Sequence, residues 1–140
     1  MKRTFRSLLL TVIACCCIFS LTSCGGGIAQ SEAKEHVEGF LAAIVEEDYT
    51  KAQTFLHPER PADLESFFLK VEAEEDIDFQ AGIEIKKYTG FSSTLYDGTV
   101  DGPTYELTMK TQVGGRTVEF EIEVVRNDNG FGIYNLDIDT

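Results

Sequence analysis

The sequence predicts an α+β domain in which three N-terminal helices pack on a curved four-stranded antiparallel meander sheet. Three observations carry this. Apolar residues between Ala33 and Val71 recur at helical spacing, the period changes to two from Ile83 onward, and two long alternating runs flank Gly114-Gly115. The stretch from Glu32 to Thr140 holds 109 residues, enough for one such domain and too few for two.

Ser31, followed by Glu32 and Glu35, predicts the start of the first helix, with acids in the first turn facing the positive end of the macrodipole. Ala33, Val37, Phe40, Leu41, Ile44 and Val45 then form one apolar stripe on a helix running to about Glu47. His36 falls at the border of that stripe, where a histidine packs rather than reacts. Asp48 caps a second, short helix through Tyr49, Ala52, Phe55 and Leu56, which His57-Pro58 ends. Pro58-Glu59-Arg60-Pro61 makes a rigid connection, and Asp63 caps a third helix whose Leu64, Phe67, Phe68 and Val71 face inward. The acids from Glu72 to Asp78 do not form a calcium loop. Counted from Asp76, Ala81 and Lys87 stand where the turn glycine and the closing glutamate belong, so a solvated helix exit is expected.

Ile83 and Ile85 open the first strand, and Tyr88, Phe91 and Leu95 continue it with a change of phase that requires a bulge near Lys87 or Gly90. The loop from Asp97 to Gly102 lacks the glutamate of a calcium site, since Thr108 occupies that position, and no metal is expected. Thr104–Val113 and Arg116–Val125 flank the two-residue turn, which sets the register: Tyr105 opposite Val124, Leu107 opposite Ile122, Met109 opposite Phe120 and Thr111 opposite Val118. Glu119, Glu121 and Glu123 then lie on the other face, about 7 Å apart along the strand, too far to share a small cation unaided. After Asn127-Asp128-Asn129-Gly130, Phe131 and Ile133 point one way, while Leu136 and Ile138 need a one-residue shift. A bulge at Tyr134-Asn135 supplies it.

Before Glu32 the chain is of another kind. Lys2, Arg3 and Arg6 precede an apolar run from Leu8 to Leu21, of secretory length and short of the roughly 20 residues of a membrane span. It ends in Leu21-Thr22-Ser23-Cys24, then three glycines. Leu21-Thr22-Ser23-Cys24 resembles the lipobox of bacterial lipoproteins, with Thr22 a tolerated rather than preferred residue. The resemblance implies cleavage after residue 23, a thioether-linked diacylglycerol on Cys24 and a flexible tether over residues 24–31. Two acyl chains suffice for stable membrane attachment. The resemblance therefore implies a lipid-anchored domain on the extracytoplasmic side of the cell membrane or outer membrane.

All four cysteines lie at or before Cys24, which leaves no disulfide, thiolate metal site or cysteine nucleophile downstream. After the leader, nine basic residues face 24 acidic ones, a net charge of −15. Such a surface repels phosphate backbones and excludes nucleic acid as a default partner.

The element order, the opening helix Glu35–Ile44 and the closing Gly130–Leu136 resemble the cystatin-like α+β cone of the nuclear-transport-factor-like superfamily. The fold hosts enzymes and binding modules alike. Its enzymes place a carboxylate or histidine opposite a donor inside the cone. Here the inward residues of the hairpin include no such base, only Tyr105 and Thr111 as polar handles. The expectation is a non-catalytic domain without cofactor that binds a small apolar ligand or an envelope protein. Phe40, Tyr105, Met109 and Phe120 would line its pocket, with His57 and Arg60 at the rim. Two alternatives stay open: a small isomerase or dehydratase using Tyr105 as donor, and a spacer with no pocket.

Overall fold

The computed structural model describes residues 27–95 and 101–140. The leader, Cys24 and residues 97–100 of the acidic loop lie outside them. Helices α1 (Gln30–Val45), α2 (Tyr49–Gln53) and α3 (Leu64–Glu75) come first, then a 3-10 turn (Phe79–Ala81). Strands β1 (Ile83–Thr94), β2 (Thr104–Val113), β3 (Arg116–Asn127) and β4 (Gly130–Asp139) follow. The four strands form one antiparallel sheet in the order β1-β2-β3-β4, a meander that does not close on itself.

Helix α1 begins at Gln30 with Ala29 as N-cap, ahead of the expected cap at Ser31. The cause is tertiary: Ile28 is drawn into the core at 5% exposure. Ile28 and Ala33, both buried, occupy the N′ and N4 positions of a hydrophobic staple, so packing sets the entry rather than a side-chain cap. At its other end Asp48 N–H donates to Ala43 O (3.0 Å) and Glu47 N–H to Ile44 O (3.0 Å), with Glu47 in the left-handed region. That is a Schellman ending, and Asp48 at once caps α2 by accepting from Lys51 N–H. Asp63 caps α3 from Ser66 N–H, as its position predicts.

Two details of the third helix depart from expectation. Leu64 and Phe68 are buried, but Phe67 is 37% exposed, because it lies a hundred degrees round the helix from Phe68. The acidic exit hides a second anchor: Asp76 turns left-handed (φ 53°), and Ile77 and Phe79 drop into the core beyond it. Glu74, Asp76 and Asp78 are solvated, but Ile77 among them and Phe79 just after them are buried, and Glu72 accepts from Phe79 N–H (2.9 Å).

The hairpin register is the one the glycine turn and the alternation require, with Tyr105, Leu107, Met109 and Thr111 opposite Val124, Ile122, Phe120 and Val118. Gly114 (φ 54°) and Gly115 (φ 87°) both take positive φ, the geometry of a two-residue turn that follows the sheet's twist. Register shifts interrupt β1 between Ile85 and Lys87 and between Tyr88 and Gly90. Another places Tyr134 as the extra residue of β4, between Ile133 and Asn135. The inward face of β2–β4 and the apolar faces of α1 and α3 share one buried cluster, which makes the molecule a two-layer structure.

Candidate functional site

Among the described residues the interior is filled. Phe40, Met109 and Phe120 are wholly buried and Tyr105 nearly so, all four within one cluster. A side chain that no water-sized probe touches borders no space a ligand could enter. Instead a run of rings crosses the core: Phe40 and Phe68 stand 6.2 Å apart, Phe68 and Phe79 5.1 Å, Phe79 and Phe120 6.2 Å. Tilted and edge-on contacts of this kind add to the burial of the rings themselves. Thr111, on the same inward face, donates its hydroxyl to Val118 O at 2.9 Å. Among the described residues every buried side-chain nitrogen and oxygen has a partner.

His57 is 1% exposed and belongs to the core rather than to an accessible rim. Its Nδ1 accepts from Glu59 N–H (3.2 Å), so its Nε2 carries the proton and faces Asn127 Oδ1 (3.1 Å) and Gly130 O (3.2 Å). Asn127 and Asn129 donate in turn to the two carboxylate oxygens of Glu59 at 2.8 and 2.7 Å. These bonds hold the Glu59 carboxyl below its ordinary range, that from Asn127 most. The network ties the connection after α2 to the β3–β4 turn across about 70 residues of sequence. His36, in turn, donates from Nε2 to Phe55 O (2.8 Å) between the rings of Phe55 and Phe131. Both imidazoles are therefore committed to the fold.

The same connection creates an apolar hollow. Beyond α2 the chain runs extended and lays Leu56 beside Ile133 of β4: His57 N–H donates to Ile133 O and Ile133 N–H to Phe55 O, both at 2.8 Å. Between this short edge, α3 and β4 lies an apolar groove of about 150 Å³. Leu56, Leu64, Phe67, Ile133 and Leu136 line it, with Arg60 and Tyr134 at its mouth. Arg60 donates to Tyr134 O (3.1 Å) and Asn135 Oδ1 (2.7 Å) and stacks 4.7 Å from the Tyr134 ring. Of the residues the sequence nominates, Arg60 alone borders this groove. The others were missed because the Leu56–Ile133 bridge is a long-range contact that no local pattern signals.

Two larger open hollows, of about 390 Å³ each, lie between α1 and β1 and beside the Gly114-Gly115 turn. At the end of β1, Tyr88 and Phe91 stack at 5.4 Å, with Lys34 Nζ 4.2 Å from the Tyr88 ring. Tyr88 donates its hydroxyl to Glu38 (2.7 Å), and burial, then Glu38, raises the phenol above its ordinary value, which keeps it a donor and not a base. The outer face of the sheet is acidic: Glu106 stands opposite Glu123, Glu121 opposite Asp137 and Glu119 opposite Asp139. Lys110 meets Glu119 at 3.6 Å. Among the described residues no three metal-ligating side chains gather, and no helix is long and apolar enough to cross a membrane. Comparison with protein-family models, curated proteins and solved structures finds no match to this chain, so its own geometry carries any functional assignment.

Proposed function

We propose that this chain is an extracytoplasmic lipoprotein, anchored through Cys24, whose cystatin-like domain of the nuclear-transport-factor-like kind binds another envelope protein and catalyses no reaction. The packed interior is the observation that carries this reading: where enzymes of that superfamily keep an open pocket, this domain has Phe40, Met109 and Phe120 fully buried. Ligand pockets start at roughly 300 Å³. The groove beside α3 has half that volume, room for one apolar side chain of a partner, and the two larger hollows, of about 390 Å³ each, are open to solvent and bordered by Glu84. Phe67 at its border gives the partner a ring to close on, and the acidic sheet face next to β4 favours a partner with a basic rim.

A photoreactive amino acid at position 67 of the full chain, expressed in a bacterium that processes lipoproteins, tests the reading. The expected result is a discrete covalent adduct with one envelope protein from position 67 and none from position 121 on the outer face. Equal labelling from both positions, or turnover of a small substrate lost on Tyr105→Phe, would refute it.

A further inference from the structure

The anchor, on the reading just proposed, fixes more than location. Ile28 is buried, so only residues 25–27 separate the folded domain from Cys24, a span of at most about 14 Å when fully extended. The domain must therefore turn the end that holds Ile28 toward the lipid. That end carries two exposed large apolar residues, Phe91 on β1 at 44% and Leu95 just beyond its end at 66%. Gly27 lies against Leu95, close enough that a Cβ on it would sit 3.6 Å from Leu95 Cδ2. The longest uncharged run after Cys24, nine residues from Tyr88 to Tyr96, includes both.

Electrostatics select the same end. A domain of net charge −15 is repelled by anionic headgroups wherever its acids come within the screening length of about 8 Å at physiological salt. The stretch from Tyr88 to Leu95 carries no acid of its own and can rest on the bilayer at low cost, the Glu38 carboxylate beside it being held by the Tyr88 hydroxyl. Lys34, which lies over the Tyr88 and Phe91 rings, adds a cation at headgroup level, the arrangement in which amphipathic side chains lodge at an interface.

We infer that Phe91 and Leu95 form a membrane-docking face, seated in the phospholipid interface beside the lipidated Cys24, with Lys34 set against the phosphates. The sheet then stands on the bilayer, its Gly114-Gly115 turn roughly 30 Å away along the strands.

The chain contains no tryptophan, so a single introduced one reports alone. The full chain, produced with its lipid and reconstituted into phosphatidylethanolamine–phosphatidylglycerol vesicles, is compared with and without brominated acyl chains. Leu95→Trp should lose about half its emission to bromine, as expected for a residue within 5–10 Å of the acyl boundary, and Thr117→Trp at the far end should lose almost none. Both positions are exposed, and thermal melts that match the parent chain exclude misfolding. Equal quenching at both positions, or none at Leu95→Trp, overturns the docking face while leaving the anchor intact. An intact mass showing an unmodified Cys24 or a retained leader overturns the anchor and this orientation together.

Discussion

At Gly132 the backbone of β4 runs so close to the Leu56–His57 peptide that an added Cβ would sit 2.6 Å from Leu56 C and from His57 N. No side chain fits there, and the bridge that closes the groove depends on that vacancy of volume. Glu59 secures the same connection by charge. Its carboxylate accepts from Asn127 and Asn129, which lowers its pKa. A group with a depressed folded-state pKa stabilises the fold above its unfolded pKa, and that contribution is lost as pH falls through the lower folded value. Melting temperature should therefore decline more steeply below about pH 5 in the parent chain than in Glu59→Gln, which keeps an oxygen acceptor but does not titrate. Thermal melts from neutral to acid pH measure the difference. A parallel decline in both chains would mean that the carboxylate is held by nothing specific.

Among the elements, the sheet carries an avoidable strain on its outer face. Glu121 and Asp137 face each other directly, and like charges in such cross-strand pairs destabilise by roughly 0.2–1 kcal/mol. Glu121→Lys should raise the melting temperature by about 2–6 °C at low salt, because about 1 kcal/mol moves a domain of this size by 4–8 °C. The gain should shrink in molar salt. The hairpin that sets these pairs was legible in the sequence because two glycines fix the loop length and every second residue is apolar or small from Tyr105 to Val113 and again from Val118 to Val124. The bulges were legible for a related reason, since Lys87, Gly90 and Tyr134 stand where the alternation changes phase. Other features had no local signature. Ser31 has the chemistry of a cap, but burial of Ile28 decided where α1 starts. The acids around Ile77 and Phe79 hide two core residues, and His57 owes its burial to partners in the β3–β4 turn. Local pattern reports faces and turns. It cannot report which distant backbone a short extended segment will meet.

Seen whole, the domain rests on one core with no disulfide available after Cys24. The rings of Phe40, Phe68, Phe79 and Phe120 connect α1, α3, the 3-10 turn and β3, so one truncation is felt by every layer. Phe79→Ala should cost about 3–5 kcal/mol, a large part of the 5–15 kcal/mol that stabilises a typical domain. Urea unfolding gives the midpoint shift directly, and a loss under about 1 kcal/mol would show that the helices and sheet are held together elsewhere.

The two margins of the sheet are treated differently. Leu56 guards part of β4, whereas among the described residues no other backbone segment pairs with the outer side of β1. Such a bare ribbon invites a neighbouring copy to zip onto it. Its two kinks leave no unbroken stretch longer than the five residues Gly90–Thr94, and the lysines at 86 and 87 would confront their own images in a parallel, in-register twin. The irregularities that bend the strand thus also keep molecules crowded side by side from growing into fibres.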